Sequence, residues 1–144
     1  MKKTNNQGFS LVELIIVIAI MAVLVGVLAP QFIKYVEKSR YQKDVSSVEE
    51  LRNAVEVALS EEAVYNEVST ITSATPFTLT IGIDSAAALT YPANTTSLQA
   101  AVASSINSLS FSSKLFKNAA AGAIKVVITY SSTTSSFTVT ATHP

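Results

Sequence analysis

The chain has 144 residues, a formal net charge of zero, one histidine and no cysteine. Its length accommodates one membrane anchor and one small soluble domain. Without cysteine, disulfides and thiolate metal sites are excluded and an exported domain must hold together by packing alone. A lone histidine, His143 beside the end of the sequence, cannot complete a zinc site and reads as a mobile tail residue.

From the amino-terminus, Gly8-Phe9-Ser10-Leu11-Val12-Glu13 leads into sixteen uninterrupted apolar residues, Leu14 to Ala29. Phe9 to Ala29 carries one charge, Glu13. As a helix this segment is about 31 Å long, enough to cross a hydrocarbon core, and it exceeds the roughly 7–15 apolar residues of a secretory signal. Lys2 and Lys3 lie upstream with no acidic residue, which predicts a single span with a cytoplasmic amino-terminus and the remainder exported. Glu13 would cost roughly 2.5–3.5 kcal/mol at the bilayer centre, and less near an interface, so it calls for a partner. The segment is apolar on all sides, which suits lipid or a bundle of like helices. Pro30 removes one backbone hydrogen bond, and Gly26, four residues earlier, adds its own weakness, so the helix should kink or locally melt there.

Past Pro30 the pattern becomes amphipathic. Val45, Val48, Leu51, Val55, Ala58 and Leu59 recur at helical steps, with Lys43, Asp44, Glu49, Glu50, Arg52 and Glu56 between them. The spacing predicts one long helix from about Ser10 to about Val64, bent near Pro30. Residues 34–44 hold Lys34, Lys38, Arg40 and Lys43, whereas residues 49–67 hold six carboxylates against Arg52. The simpler account of these blocks is a solvated face with basic residues near anionic headgroups. The sharper one is that staggered subunits set one chain's basic block beside another's acidic block, fixing register more than stability.

From Ser69 the composition shifts: 28 of the last 76 residues are Ser or Thr and only four are charged. Phe77 to Ile83 alternates with period two and predicts a strand. Leu98, Val102, Ile106 and Leu109 share one face of a predicted short helix over 98–109. Ala123–Tyr130 and Phe137–Thr142 read as a hairpin. An α+β fold follows, in which a long kinked amino-terminal helix, hydrophobic then amphipathic, packs against a small antiparallel sheet.

Little here supports catalysis, and no cofactor is implied. The carboxylates between Glu49 and Glu67 lack the Gly-containing turn that wraps a cation and read as a solvated face. Serines lack a neighbouring base, and no glycine-rich phosphate loop occurs. Lys114, Lys117, Lys125, Phe111 and Phe116 make a thin basic–aromatic group. A nucleic-acid contact there is weaker than ordinary surface around two core phenylalanines.

Lys2-Lys3, then Gly8-Phe9-Ser10-Leu11-Val12-Glu13-Leu14, then an apolar span and Pro30, closely resembles the class III signal of type IV pilins and their pseudopilin relatives. The resemblance covers about residues 1–40. It implies a leader over 1–8, a membrane or filament-core half-helix over 9–33, an amphipathic half-helix over 34–68 and a globular β-rich domain over 69–144. It implies that a prepilin peptidase cuts between Gly8 and Phe9 and methylates the new amino-terminus at Phe9. Cleavage then leaves eight basic and ten acidic side chains. It also places the family's assembly glutamate at Glu13 and its helix-disrupting proline at Pro30. Many pilins staple a carboxy-terminal loop with two cysteines, which this chain lacks.

Two accounts of Glu13 remain. Within one chain it sits at i+4 from Phe9 near the positive end of the helix. Between chains, the amine of an incoming subunit would pair with Glu13 of one already assembled, leaving a buried unpaired charge wherever register is wrong. The resemblance implies a structural pilus subunit, membrane-inserted as a precursor and then polymerised into an extracellular filament of itself. An assembly ATPase and a membrane platform protein are the implied machinery. The alternatives are a pseudopilin of a type II secretion or DNA-uptake apparatus, a secreted adhesin or binding protein cut after Ala29 by an ordinary signal peptidase, and a permanent single-span membrane protein.

Overall fold

A computed structural model describes residues 9–71, 77–106, 109–131, 134 and 136–144, and the chain divides into two units, Met1–Val36 and Glu37–Pro144. The first unit consists, among its described residues, of Phe9, Ser10 and the leading part of helix α1, Leu11–Ala58. The second unit begins within α1. It continues with α2 (Glu62–Ile71), β1 (Phe77–Ile83), β2 (Leu89–Thr90), α3 (Thr96–Ser105), α4 (Lys114–Lys117), β3 (Ile124–Ser131) and β4 (Ser136–Thr142). The α+β class expected from the sequence is the one observed.

The expected single helix to Val64 is two helices. Backbone bonds from Ser60 N–H to the Val57 carbonyl and from Glu61 N–H to the Ala58 carbonyl, each 3.0 Å, tighten the end of α1 before α2 restarts. The reason is angular. At about 100° per residue, a straight continuation would swing Val64 roughly 140° away from the stripe headed by Leu51. The break returns Val64 and Val68 to the core, where both are fully buried beside Val48, Leu51, Val55 and Ala58.

The four strands form one antiparallel sheet in the order β2-β1-β3-β4. Ile81 pairs with Val126 and Val126 with Ala141, so the period-two pattern sets one apolar face. Leu79, Ile81 and Ile83, with Ile124, Val126, Ile128 and Val139, bury that face in the same cluster as the α1 stripe. The opposite face is largely threonine: Thr78, Thr129 and Thr138 lie in one cross-strand row. Only the two-residue β2 escapes the sequence pattern. It follows a turn in which Asp84 Oδ1 accepts the N–H groups of Ala86 and Ala88 at 2.9 and 2.8 Å, holding Ala87 at a φ of 66° that Asx-type turns support.

Helix α3 stops earlier than the Leu98–Leu109 pattern predicts. Ser104 and Ser105 hydroxyls both donate back to the Ala101 carbonyl, at 2.7 and 3.0 Å, competing with the helical ladder. Ile106 is extended. Ile106 and Leu109 still pack against the core, though not as helix residues.

Two carboxylates that the sequence assigns to solvated positions are instead structural. Asp44 is fully buried. Its oxygens accept the N–H of Ser112 at 3.0 and 3.1 Å and that of Ser113 at 2.7 Å. Ser113 in turn caps α4 by accepting the Phe116 N–H, and the Glu37 carboxylate accepts from Lys114 N–H. Burial raises the Asp44 carboxyl, but the hydrogen bonds from Ser113 and then Ser112 outweigh it and leave its pKa below the ordinary value. Glu67 reaches from α2 to the start of α3, accepting from Ser97 and Leu98 N–H at 3.0 Å each. This replaces the cap that Thr95 does not supply, since its hydroxyl donates to the Pro92 carbonyl. Burial raises the Glu67 carboxyl too, and hydrogen bonds from the start of α3 again prevail.

A carboxylate whose pKa is depressed on folding adds stability that is present above its unfolded pKa and lost as pH falls through the folded value. Asp44→Asn should therefore cost about 1–3 kcal/mol at neutral pH, measured by urea unfolding of the full chain in detergent. The gap from the native chain should close as the pH drops below the ordinary carboxylate range. For α3, Glu67→Ala should speed amide exchange at Ser97 and Leu98 about tenfold; unchanged exchange would remove the cap assigned to it.

Candidate functional site

The start of α1 carries the strongest motif of the chain. Ser10 immediately precedes the first helical residue, Leu11. Its backbone N–H donates to Glu13 Oε2 at 2.8 Å, while Leu14 N–H reaches the Ser10 carbonyl at 3.3 Å. Ser-x-x-Glu at a helix start is the sequence form of a capping box, and the glutamate here makes its half of it. This spacing, rather than the Phe9-to-Glu13 step, is the local signal for how Glu13 is held. The carboxylate also lies at the positive end of the helix, worth roughly 0.3–1 kcal/mol. The hydrogen bond engages Oε2, and no cation lies against Glu13 among the described residues.

Around that carboxylate the helix is bare. Between Leu11 and Leu28 every large apolar side chain is 45–74% exposed, and Phe9 is 91% exposed. Among the described residues nothing buries this segment, and α1 is long and apolar enough to cross a membrane. Leaving so much contiguous apolar surface to water is unfavourable, so the surface belongs against lipid or other helices. α1 contains Pro30 and runs unbroken through it and through Gly26, so the local melting expected there is not seen. One i to i−4 step separates the two residues. The carbonyl left without a donor by Pro30 is therefore that of Gly26, where an added Cβ would meet nothing within 4 Å. Gly8 lies outside the described residues.

The remaining candidates resolve in the second unit. His143 is no mobile tail residue: it is half-buried, its Nδ1 lies 3.3 Å from the Tyr41 hydroxyl, and its ring stacks on Phe116 with centroids 6.4 Å apart. The Tyr41 hydroxyl donates to the Pro144 carbonyl at 2.9 Å. Phe111 and Phe116 are buried and pack on one another at 4.8 Å, which removes the aromatic half of the basic–aromatic group. Of the six carboxylates from Glu49 to Glu67, Glu49 and Glu56 clamp Arg52 at 2.8 and 2.6 Å and Glu67 caps α3. Among the described residues no group of three or more His, Cys, Asp or Glu is arranged to hold a metal.

Residues 3–29 match the family model described as the prokaryotic N-terminal methylation motif. The chain is 33% identical over 70 residues to prepilin peptidase-dependent protein A of Clostridium perfringens, covering 49% of this chain and 50% of that protein. It is 35% identical over 57 residues to the type IV major fimbrial protein FimA of Dichelobacter nodosus, covering 40% of this chain and 36% of the relative. It is also 35% identical over 57 residues to the type II secretion system core protein G of Aeromonas hydrophila, covering 40% of each chain. The chain thus spans half the length of the first of these relatives and less of the other two. No solved structure matches it.

Replacing Glu13 by Ala should free the Ser10 N–H. Its amide exchange in the detergent-solubilised chain should then rise about tenfold, as expected for one lost charge-assisted bond, with exchange around Val48 unaltered.

Proposed function

We propose that this chain is a structural subunit of a type IV pilus, a reading supported by the match of residues 3–29 to the prokaryotic N-terminal methylation motif and by the similarity to a type IV major fimbrial protein. The observation that carries the reading is the uncovered apolar half of α1, with one carboxylate satisfied only by its own backbone. The precursor sits in the cytoplasmic membrane as a single span with its amino-terminus inside. It is cut between Gly8 and Phe9 by a prepilin peptidase that also methylates the Phe9 amine. An assembly ATPase and a membrane platform protein then move it into an extracellular filament.

The chemistry of that step follows from charge. Cleavage creates an amine that is protonated at neutral pH, and a methyl keeps it basic. The hydrogen bond to Ser10 occupies one Glu13 oxygen, and the other can accept the amine of an incoming subunit. A subunit docked out of register leaves that pair broken in an apolar layer, at a cost of roughly 3–5 kcal/mol. Leu11, Val12, Leu14, Ile15, Ile16 and Val17 then lie in the filament core, and Gly26 and Pro30 are where the rod yields as it leaves the bilayer.

A second reading, a pseudopilin of a secretion apparatus, is favoured by the similarity to the type II secretion protein. Electron microscopy of cells separates the two: long surface fibres belong to a pilus subunit. A secreted protein with an ordinary signal peptide would begin near Pro30 instead.

Mass spectrometry of sheared surface material should find a chain starting at methylated Phe9. Glu13→Ala should still be cut after Gly8 and yet be missing from fibres, while its precursor accumulates in the membrane fraction. Wild-type fibre yield from that variant would take the assembly role away from Glu13. A surface protein that retains residues 1–8 would end the pilus reading.

A further inference from the structure

The second unit carries two surface features at separated levels of α1. At one level, α4 presents Leu115 at 54% exposure, flanked by exposed Lys114 and Lys117, whose side chains have no acidic partner among the described residues. α4 is fixed there by Asp44 and Glu37 and cannot fold its leucine away. At the other level a recess of about 280 Å³ is lined by Leu59, Tyr65, Phe137 and Val139 together with Glu56, Ser60 and Ser136. Its aromatic wall is braced: Tyr65 meets Phe137 edge-on at 5.3 Å, and Phe137 meets Tyr130 at 5.0 Å. Glu61 and Glu62 follow Ser60 directly. Both are exposed, and neither is in an ion pair among the described residues. One site is an apolar knob between two cations; the other is a half-polar hollow with an aromatic wall, the Glu56 carboxylate in its lining and Glu61 and Glu62 just past Ser60 in sequence.

The two cannot meet in one molecule. Lys114 is bonded to Glu37 and the recess begins at Glu56, nineteen residues further along α1 and so about 28 Å away by helical rise. Two different patches that fit each other make a heterologous contact, which propagates instead of closing on a pair.

We propose that a second copy of this chain seats its Leu115, between Lys114 and Lys117, in this recess beside Glu61 and Glu62. The inference rests on the filament reading and names the contact that the second units make along the fibre. The apolar insertion gives the contact its hold, and the flanking charges select register and orientation. The docking also narrows which charges serve between chains. Arg52, Glu49 and Glu67 are already engaged within the molecule, whereas Lys114, Lys117, Glu61 and Glu62 have no ion-pair partner among the described residues.

The absence of native cysteine makes the contact testable by cross-linking, because a disulfide needs Cα atoms within about 7 Å. Filaments of the full chain carrying Leu115→Cys and Ser60→Cys together, oxidised after shearing, should run as a ladder of dimers, trimers and longer species. Filaments carrying either substitution alone should stay monomeric on the same gel. Intact double-variant filaments without a ladder, or dimers from one substitution alone, would overturn the contact while leaving the pilus reading in place. If the double variant makes no fibres, charge exchange decides. Lys114→Glu with Lys117→Glu should cut fibre yield about tenfold, and adding Glu61→Lys with Glu62→Lys should restore it. Failure to restore, or no loss in the first place, would overturn the proposal. Cells of the native chain without any fibre would defeat the pilus reading itself.

Discussion

One helix has to satisfy two solvents, and the structure follows from that demand. From Leu14 to Ala29, α1 is apolar on every side and exposed among the described residues. After Glu37 its apolar residues narrow to a stripe, which the sheet and the short helices bury. A stripe needs only one layer of protein against it, whereas an all-round apolar rod needs neighbours in every direction. The second unit can therefore be complete within one chain. The first needs lipid or other helices around it.

Within the second unit, carboxylates do the fastening that disulfides do in many small exported domains. Asp44 and Glu37 hold the start of α4, and Glu67 holds the start of α3. In each case the donors are backbone N–H groups at a helix start, which face outward unpaired unless something caps them. A charged acceptor makes the stronger bond there, and several donors converging on one carboxylate offset the penalty of burying it. Asp44 shows this most clearly: it is fully buried, yet no buried side-chain polar atom among the described residues lacks a partner. Glu13 follows the same rule at the start of α1, with the difference that its surroundings are bare.

That difference sets Glu13 apart from the other two. Asp44 is enclosed by its own chain, and the half-buried Glu67 already accepts two backbone donors of α3. Glu13 is held by one hydrogen bond in a segment that has to leave water, and an anion taken from water with one donor remains under-compensated. In the filament proposed above, a cation from the next copy would answer that deficit, and the apolar rod that needs neighbours would also carry the charge that orders them.

Much of this was legible from residue order because it depends on local period. The apolar span, the stripe from Val48 to Ala58 and strands β1, β3 and β4 rest on repeats of two or 3.6 residues, which a chain displays before it folds. The Gly8-to-Glu13 motif is likewise contiguous. What the sequence hid depends on partners distant along the chain: Asp44 with Ser113, 69 positions away; Glu67 with Ser97, 30 away; Tyr41 with His143, 102 away. Read locally, each of these is an ordinary polar residue on a helix or near an end. The break after Ala58 belongs to the same group, because the sheet below, and no helix breaker in the sequence, required Val64 and Val68 to turn inward. Composition and period determined the elements and the membrane-compatible rod; only the tertiary structure decided which charges are spent inside the chain, since that depends on which backbone donors the fold brings within reach.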